Sequence, residues 1–447
     1  MGTNQGGEKW GPIRLVPGVT TGNAWAFMLA SFFGIGMLTF VNIGQAYVMN
    51  EILGIPTDEQ GTLSGNLAFA TEIVVLCVVG GFGVASDRIG RRPVIVAGMI
   101  VMAIAYVLYP LAGSINELTA YRVIYAVGMA ATTGMLGTIV NDYPEDISRG
   151  KMIAIGGIFN AFGILFVNGG LGRLPDYFLS QGFDGVAAGR YTHWIVAAII
   201  IPVVMILAFT LQGGTPARKE ERPPVSHLMR RGLSEARNPR IALAYLSAFV
   251  ARSDLVIMGT FVVLWGTIAG IEQGLTTGEA VKRATLIFVI AHTAGLLWMP
   301  VMGLIIDRVN RVTALAIGTA LAAIGFGAMG LVDDPLDSGA RYLFVLLGIG
   351  QVSCFFASQA LIGQEAPVKE RGSVMGMFGF FGAFGILLAT VIGGRLFDTW
   401  MPAAPFVLVG SVNVVICLLA LIVRVRHGSA QSGPESTMKI DARPGTE

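Results

Sequence analysis

Four ionisable side chains sit inside long apolar runs: Glu72, Arg252, Asp254 and His292. Glu72 precedes Asp87 by 15 residues on one apolar stretch, so at about 1.5 Å per helical residue it lies about 22 Å from that charge. His292 precedes Asp307 by the same 15 residues, and Arg252 lies twelve residues past Arg240, about 18 Å along a helix. In a hydrocarbon layer about 30 Å thick these are deep positions, and groups held there need partners. A carboxylate or imidazole at such depth can couple movement to a proton, and a guanidinium matches a carboxylate or phosphate with paired hydrogen bonds. Arg252 and Asp254 are two residues apart and point to different sides of a helix. At least one of them must reach a neighbouring helix or a ligand. The plainer reading of each group is a neutral, hydrogen-bonded side chain that joins helices.

The elements that must position these groups are membrane spans. Hydrophobic residues make up 54% of the 447 and charged residues 13%, with mean hydropathy +0.69. That is too little polar surface for a soluble globule of this length. Runs of about 20 apolar residues predict spans at 24–48, 62–86, 93–112, 118–140, 152–172 and 192–212, then at 241–269, 284–306, 312–332, 341–363, 373–396 and 402–424. The first run is long enough to be an anchor rather than a cleaved signal. Around the spans the chain divides into a polar lead, 1–23, a first bundle, 24–212, a linker, 213–240, a second bundle, 241–426, and a tail, 427–447, whose composition predicts disorder. The linker carries Pro216, Pro223, Pro224 and Pro239 with seven basic residues, and a short surface helix is expected at Leu228 to Ala236. With the N-terminus inside, cytoplasmic segments hold 22 of the 30 basic residues, which predicts both termini in the cytoplasm.

Two charged turns separate spans 2 and 3 and spans 8 and 9. The first is GVASDRIGRR, from Gly83 through Asp87, Arg88, Gly90 and Arg91 to Arg92; the second, GLIIDRVNR, runs from Gly303 through Asp307 and Arg308 to Arg311, with Asn310 in place of the second glycine. A second echo has the sequence AFGIL at 161–165 followed by Gly172, Arg173, Leu174 and Asp176, and again at 383–387 followed by Gly394, Arg395, Leu396 and Asp398, with identical spacing. The first turn resembles the loop signature of the major facilitator superfamily of secondary transporters, and the doubling fits its parallel halves. The resemblance covers about residues 24 to 426 and implies an all-α integral membrane protein: twelve transmembrane helices in two pseudo-symmetric six-helix bundles that rock about a central site.

The resemblance also implies that spans 1, 2, 7 and 8 meet at an outer gate, so Glu72, Arg252, Asp254 and His292 are expected as one polar cluster for solute and proton. Arg149 after Pro144 and Arg371 after Pro367 resemble the partner loop of the signature and are expected to latch onto Asp87 and Asp307 in the outward-facing state. Arg122 resembles the arginine of proton-linked members, although Tyr125 stands where that motif has glutamine. Asn160, Asn168 and Gln351 are further candidates for hydrogen bonds to solute, with helix glue as the commoner use. Span 5 has no Gly-Pro pair, so the signature of drug exporters is absent.

These residues predict a transporter of the cell membrane that moves a small organic solute, an anionic one where Arg252 binds it, coupled to protons. A passive facilitator of the same fold is the near alternative, and a membrane sensor or assembly factor that moves nothing is the distant one. A metal carrier built on Glu72, Asp254 and His292 ranks lower, with one histidine in the group. No nucleotide loop, metal-ligand spacing or nucleophile constellation is present. No catalysis, cofactor, metal or nucleic-acid partner is therefore expected, and the partners are solute, protons and lipid around a monomer.

Overall fold

The computed structural model describes residues 7–214, 225–367 and 370–427. Its first half consists of α1 (Thr21–Tyr47), α2 (Gln60–Ile89), α3 (Arg91–Leu108), α4 (Ile115–Asp142), α5 (Arg149–Leu171), the short α6 (Leu174–Ser180) and α7 (Gly185–Thr210). After α8 (Val225–Ser234) in the linker come α9 (Pro239–Glu272), α10 (Thr277–Arg308), α11 (Arg311–Gly327), α12 (Arg341–Glu365), α13 (Arg371–Thr399) and α14 (Ala404–His427). Twelve of these, counting α5 with α6 as one span, are long and apolar enough to cross a membrane. The predicted spans are all present; the sixth begins seven residues earlier than its predicted start, at Gly185. Helix starts follow from local chemistry. Thr20 and Asn23 cap α1 reciprocally, Ser114 accepts the Glu117 N–H at 3.3 Å, and Asp184 accepts that of Ala187 at 2.8 Å.

The two halves repeat each other in packing as well as in sequence. Gly163 of the first AFGIL lies against the carbonyl of Phe32 on α1, and Gly385 of the second lies against that of Phe249 on α9. A Cβ at either glycine would overlap the carbonyl oxygen, so the repeated glycine is what lets α5 approach α1 and α13 approach α9.

Contacts between the halves gather at the end away from the charged turns, called here the far end. There α2 packs on α13, α1 on α9, and α5 with α6 on α10. Gly65 of α2 sits against the Thr390 carbonyl and Gly394 of α13, and Gly172 against Thr285 of α10. Toward the turns, Gly80 and Gly81 on α2 and Gly376 and Gly379 on α13 face open space. The halves touch at the far end and part toward the charged turns.

The turns themselves are built as the spacing suggests. Gly90 adopts φ 96°, which an L side chain resists, and a Cβ there would lie 2.5 Å from the Gly214 carbonyl oxygen. Arg91 bonds Asp87 at 2.6 Å and Asp142 at 3.1 Å, tying the turn to the end of α4, and Arg92 donates to the Leu211 carbonyl at 3.4 Å. Ser86 donates to the Gly83 carbonyl at 2.8 Å, and Arg88 is exposed. In the second turn Asn310 has φ −58° and caps α11 through the Val312 N–H at 3.0 Å, so the glycine is replaced by a residue that starts a helix. Asp307 pairs with Arg311 at 3.6 Å; Arg308 is exposed, and Arg371 donates to the Gly363 carbonyl at 3.3 Å instead of reaching Asp307. Arg149 opens α5.

The polar lead is folded from residue 7. Lys9–Trp10 and Ile13–Arg14 form a two-stranded hairpin, β1 and β2, turned at Gly11. Backbone bonds run from Val16 to Tyr143 and from Glu145 to Arg14, the Arg14 N–H meets Ser148 at 3.0 Å, and Gln212 reaches the Gly18 carbonyl at 3.2 Å. Ile13 and Leu15 are fully buried beneath it. Burial pushes the phenol of Tyr143, which accepts the Gln212 N–H at 3.1 Å, up to about 12, so this joint carries no charge at neutral pH. The expected linker helix is present as α8, which bonds α13 through Arg231 to Glu370 at 2.9 Å. Linker residues 215–224 and the tail from 428 lie outside the described residues, with the predictions made for them.

Candidate functional site

Gly61, Gly65, Ala68 and Glu72 recur at helical spacing along the face of α2 that meets α13. Glu72 is 9% exposed and lies two turns below the contact of Gly65 with α13, toward the end where the halves part. Opposite it, the stem of Arg252 on α9 crosses Gly382 of α13, where an added Cβ would lie 2.6 Å from Arg252 Cγ. The Arg252 side chain is exposed beside α13, and its guanidinium is near enough for its charge to act on the Glu72 carboxylate. They stand farther apart than an ion pair, leaving the gap to be bridged. Glu72 and Arg252 are thus brought together from opposite halves.

Asp254 and His292 do not join them. Asp254 is fully buried inside the second half, where Asn413 on α14 donates to one carboxylate oxygen at 3.0 Å and the other oxygen has no partner among the described residues. Two residues of helix turn it away from the face of Arg252, so Asp254 is an internal joint of the second half and not part of a cluster with Arg252. His292 is partly buried on α10, its Nδ1 at 3.0 Å from the Phe288 carbonyl and its ring against that of Phe288. Among the described residues no three His, Cys, Asp or Glu side chains gather as a metal site.

Arg122 has the more developed surroundings. It is 4% exposed, inside the first half, and donates to Thr71 at 3.0 Å and to Asn42 at 3.0 Å, with Tyr125 beneath its guanidinium at 5.1 Å. Its Nη1 is buried without a partner among the described residues, and no carboxylate pairs with it there. Thr71 is the neighbour of Glu72. Asn42 goes on to donate to the Gly259 carbonyl of α9 at 3.2 Å, so a polar chain runs from beside Glu72 through Arg122 to the other half. Sequence reasoning missed Asn42, although an amide in the middle of an apolar first span was a visible signal. It also missed His193, 1% exposed among Phe40, Tyr106 and Tyr109, with Nδ1 at 2.8 Å from the Gly189 carbonyl. Tyr109 extends that layer by donating to Gln45 at 3.1 Å, and Gln45 donates to Ser64 at 2.9 Å.

Of the remaining candidates, Asn168 is helix glue, donating to Thr39 at 2.6 Å and to the Ile164 carbonyl at 2.8 Å. Asn160 keeps a buried carboxamide oxygen with no partner among the described residues, and Gln351 is 6% exposed.

The sequence model of the Major Facilitator Superfamily matches residues 27–390 and 342–444. The chain belongs to that superfamily. Among relatives, magnetosome protein MamH of Paramagnetospirillum magneticum is 30% identical over 419 residues, covering 92% of this chain and 94% of the relative. Magnetosome protein MamZ of Magnetospirillum gryphiswaldense is 25% identical over 417 residues, and this chain spans 62% of it. The crystal structure of the nucleoside transporter NupG superposes with a TM-score of 0.70 at 15% identity, over 89% of this chain and 98% of that one, a likeness of fold. As a member of the Major Facilitator Superfamily the protein is a multi-pass membrane transporter of the general kind rather than an enzyme.

Proposed function

We propose that this transporter works by alternating access and moves a small organic anion together with protons. The observation that carries the reading is Glu72 facing Arg252 across the line where the halves part, with buried Arg122 one residue's contact away. Two guanidinium groups stand there against one carboxylate, and the unpartnered Nη1 of Arg122 offers donors for another. A solute carboxylate or phosphate between the arginines completes the charge balance. Protonation of Glu72 weakens its attraction to Arg252 and so the hold between the halves, which links proton binding to rocking.

The distribution of basic residues supports a cell membrane with both termini in the cytoplasm, and the space between the halves then opens inward. The relatives named as magnetosome proteins make a magnetosome membrane the second setting, and fractionation of cells separates the two.

The test is purified protein in proteoliposomes enclosing a pH-sensitive dye, screened against classes of organic anion. Solute-dependent proton flux in the wild type, absent in Glu72→Gln while solute counterflow persists, is the expected result. Counterflow without proton flux in the wild type makes the protein a passive facilitator and defeats the coupling.

A further inference from the structure

The repeated Gly-Arg-Leu-x-Asp has no part in the solute site. Its two aspartates act on opposite halves. Asp398, near the end of α13 in the second half, accepts the N–H groups of Gly61 at 2.8 Å and Thr62 at 2.6 Å in the first turn of α2. Asp176, in α6 of the first half, holds the Lys282 ammonium of α10 at 2.7 Å. Helices α2 and α10 are the second members of their bundles, and each has glycine as its second residue. Both glycines are pressed onto the incoming aspartate. Gly61 leaves no space for a Cβ beside the Asp398 carboxylate, and a Cβ on Gly278 would lie 2.9 Å from the Asp176 nitrogen.

We propose that the two Gly-Arg-Leu-x-Asp motifs are a paired latch that closes the far end, and that opening to that side requires both to release. The inference rests on the alternating-access reading. The contact of Asp398 lies 337 residues from its donors along the chain and joins halves that must separate, so it differs from a cap within one bundle. Its partners are amides at a helix start, which have no intrahelical acceptor and carry the positive end of the helix dipole. Once released they are re-solvated at the membrane surface, which keeps the latch reversible. The two arms are unequal. Lys282 is 47% exposed, so the Asp176 arm is screened by salt, whereas the Asp398 arm is set in backbone.

The test uses spin labels at Asp58 and Asp333, exposed sites on opposite halves at the far end, in protein with Cys77, Cys354 and Cys417 replaced by alanine and reconstituted in bilayers. Pulsed electron resonance reads the distance without solute. Asp398→Asn, close to isosteric, is expected to raise the open-to-closed ratio about tenfold, the size of one charge-assisted hydrogen bond. Asp176→Asn has a smaller effect that vanishes at high salt, and the exchange Asp176→Lys with Lys282→Asp restores the wild-type distances, which a damaged fold would not. Wild-type distances in the Asp398→Asn, Asp176→Asn double variant overturn the latch even if transport is normal. Shifted distances uphold it even if no solute is found.

Discussion

An arginine removed from water keeps five donors to satisfy, and Arg122 satisfies part of that demand with neutral acceptors, Thr71 and Asn42. Lysine supplies the same charge without the fork, so Arg122→Lys is predicted to fold yet lose tenfold or more in initial transport rate per folded molecule, as measured in proteoliposomes. Gly382→Val is predicted to act on the partner side by displacing the Arg252 stem, with a similar loss of rate and little change in the unfolding midpoint. The reverse pattern is expected at Asn413→Ala, which strips Asp254 of its amide donor inside the second half. There the unfolding midpoint in detergent falls, corresponding to about 1–3 kcal/mol, while rate per folded molecule holds. Depth along a span was legible in the sequence, and it singled out Glu72 and Arg252 as candidates. Direction was half legible: residues two apart had to diverge, but which one turned inward depended on Asn413, which is 159 residues away. Asn42 and His193 went unseen because the groups that set their surroundings lie on other helices, the Arg122 guanidinium and Gly259 carbonyl for Asn42 and the rings of Phe40, Tyr106 and Tyr109 for His193, which no spacing rule connects.

The helices are legible for a different reason: hydrocarbon demands about 20 apolar residues wherever the chain crosses, so the spans are written plainly into the composition. Their ends are less plain. The apolar run of α5 stops at Leu171, and the motif Asp176 that follows sits in a separate short helix that the hydropathy pattern did not announce. Close packing of α2 on α13 depends on Gly65 meeting Gly394 and the Thr390 carbonyl. Gly65→Val overfills that contact, at a cost of about 1–3 kcal/mol. The cost falls on the state in which the far end is closed, so the prediction is a population shift toward far-end opening, read by the same label pair, with far-ultraviolet circular dichroism unchanged. Unchanged distances in a folded Gly65→Val protein would show that the helices are joined elsewhere.

For the whole molecule, the doubled architecture was legible because both repeats kept their glycines and charges in register, and physics explains why: Gly163 and Gly385 each admit a carbonyl where a side chain would not fit. The ordered lead was not legible, since two-residue strands leave almost no periodicity to read. Its hairpin touches the α4–α5 turn, Gly18 after it meets Gln212 beyond α7, and among the described residues the hydrogen bonds of this lead stay within the first half. Deleting residues 2–19 is predicted to lower the unfolding midpoint by several degrees while leaving the second half folded, which limited proteolysis can check. The same hairpin imposes an order on biogenesis. Residues 9–18 cannot complete their contacts until residue 212 has emerged from the ribosome, so the opening bundle is sealed before the spans of its twin, which begin at Pro239, have entered the bilayer.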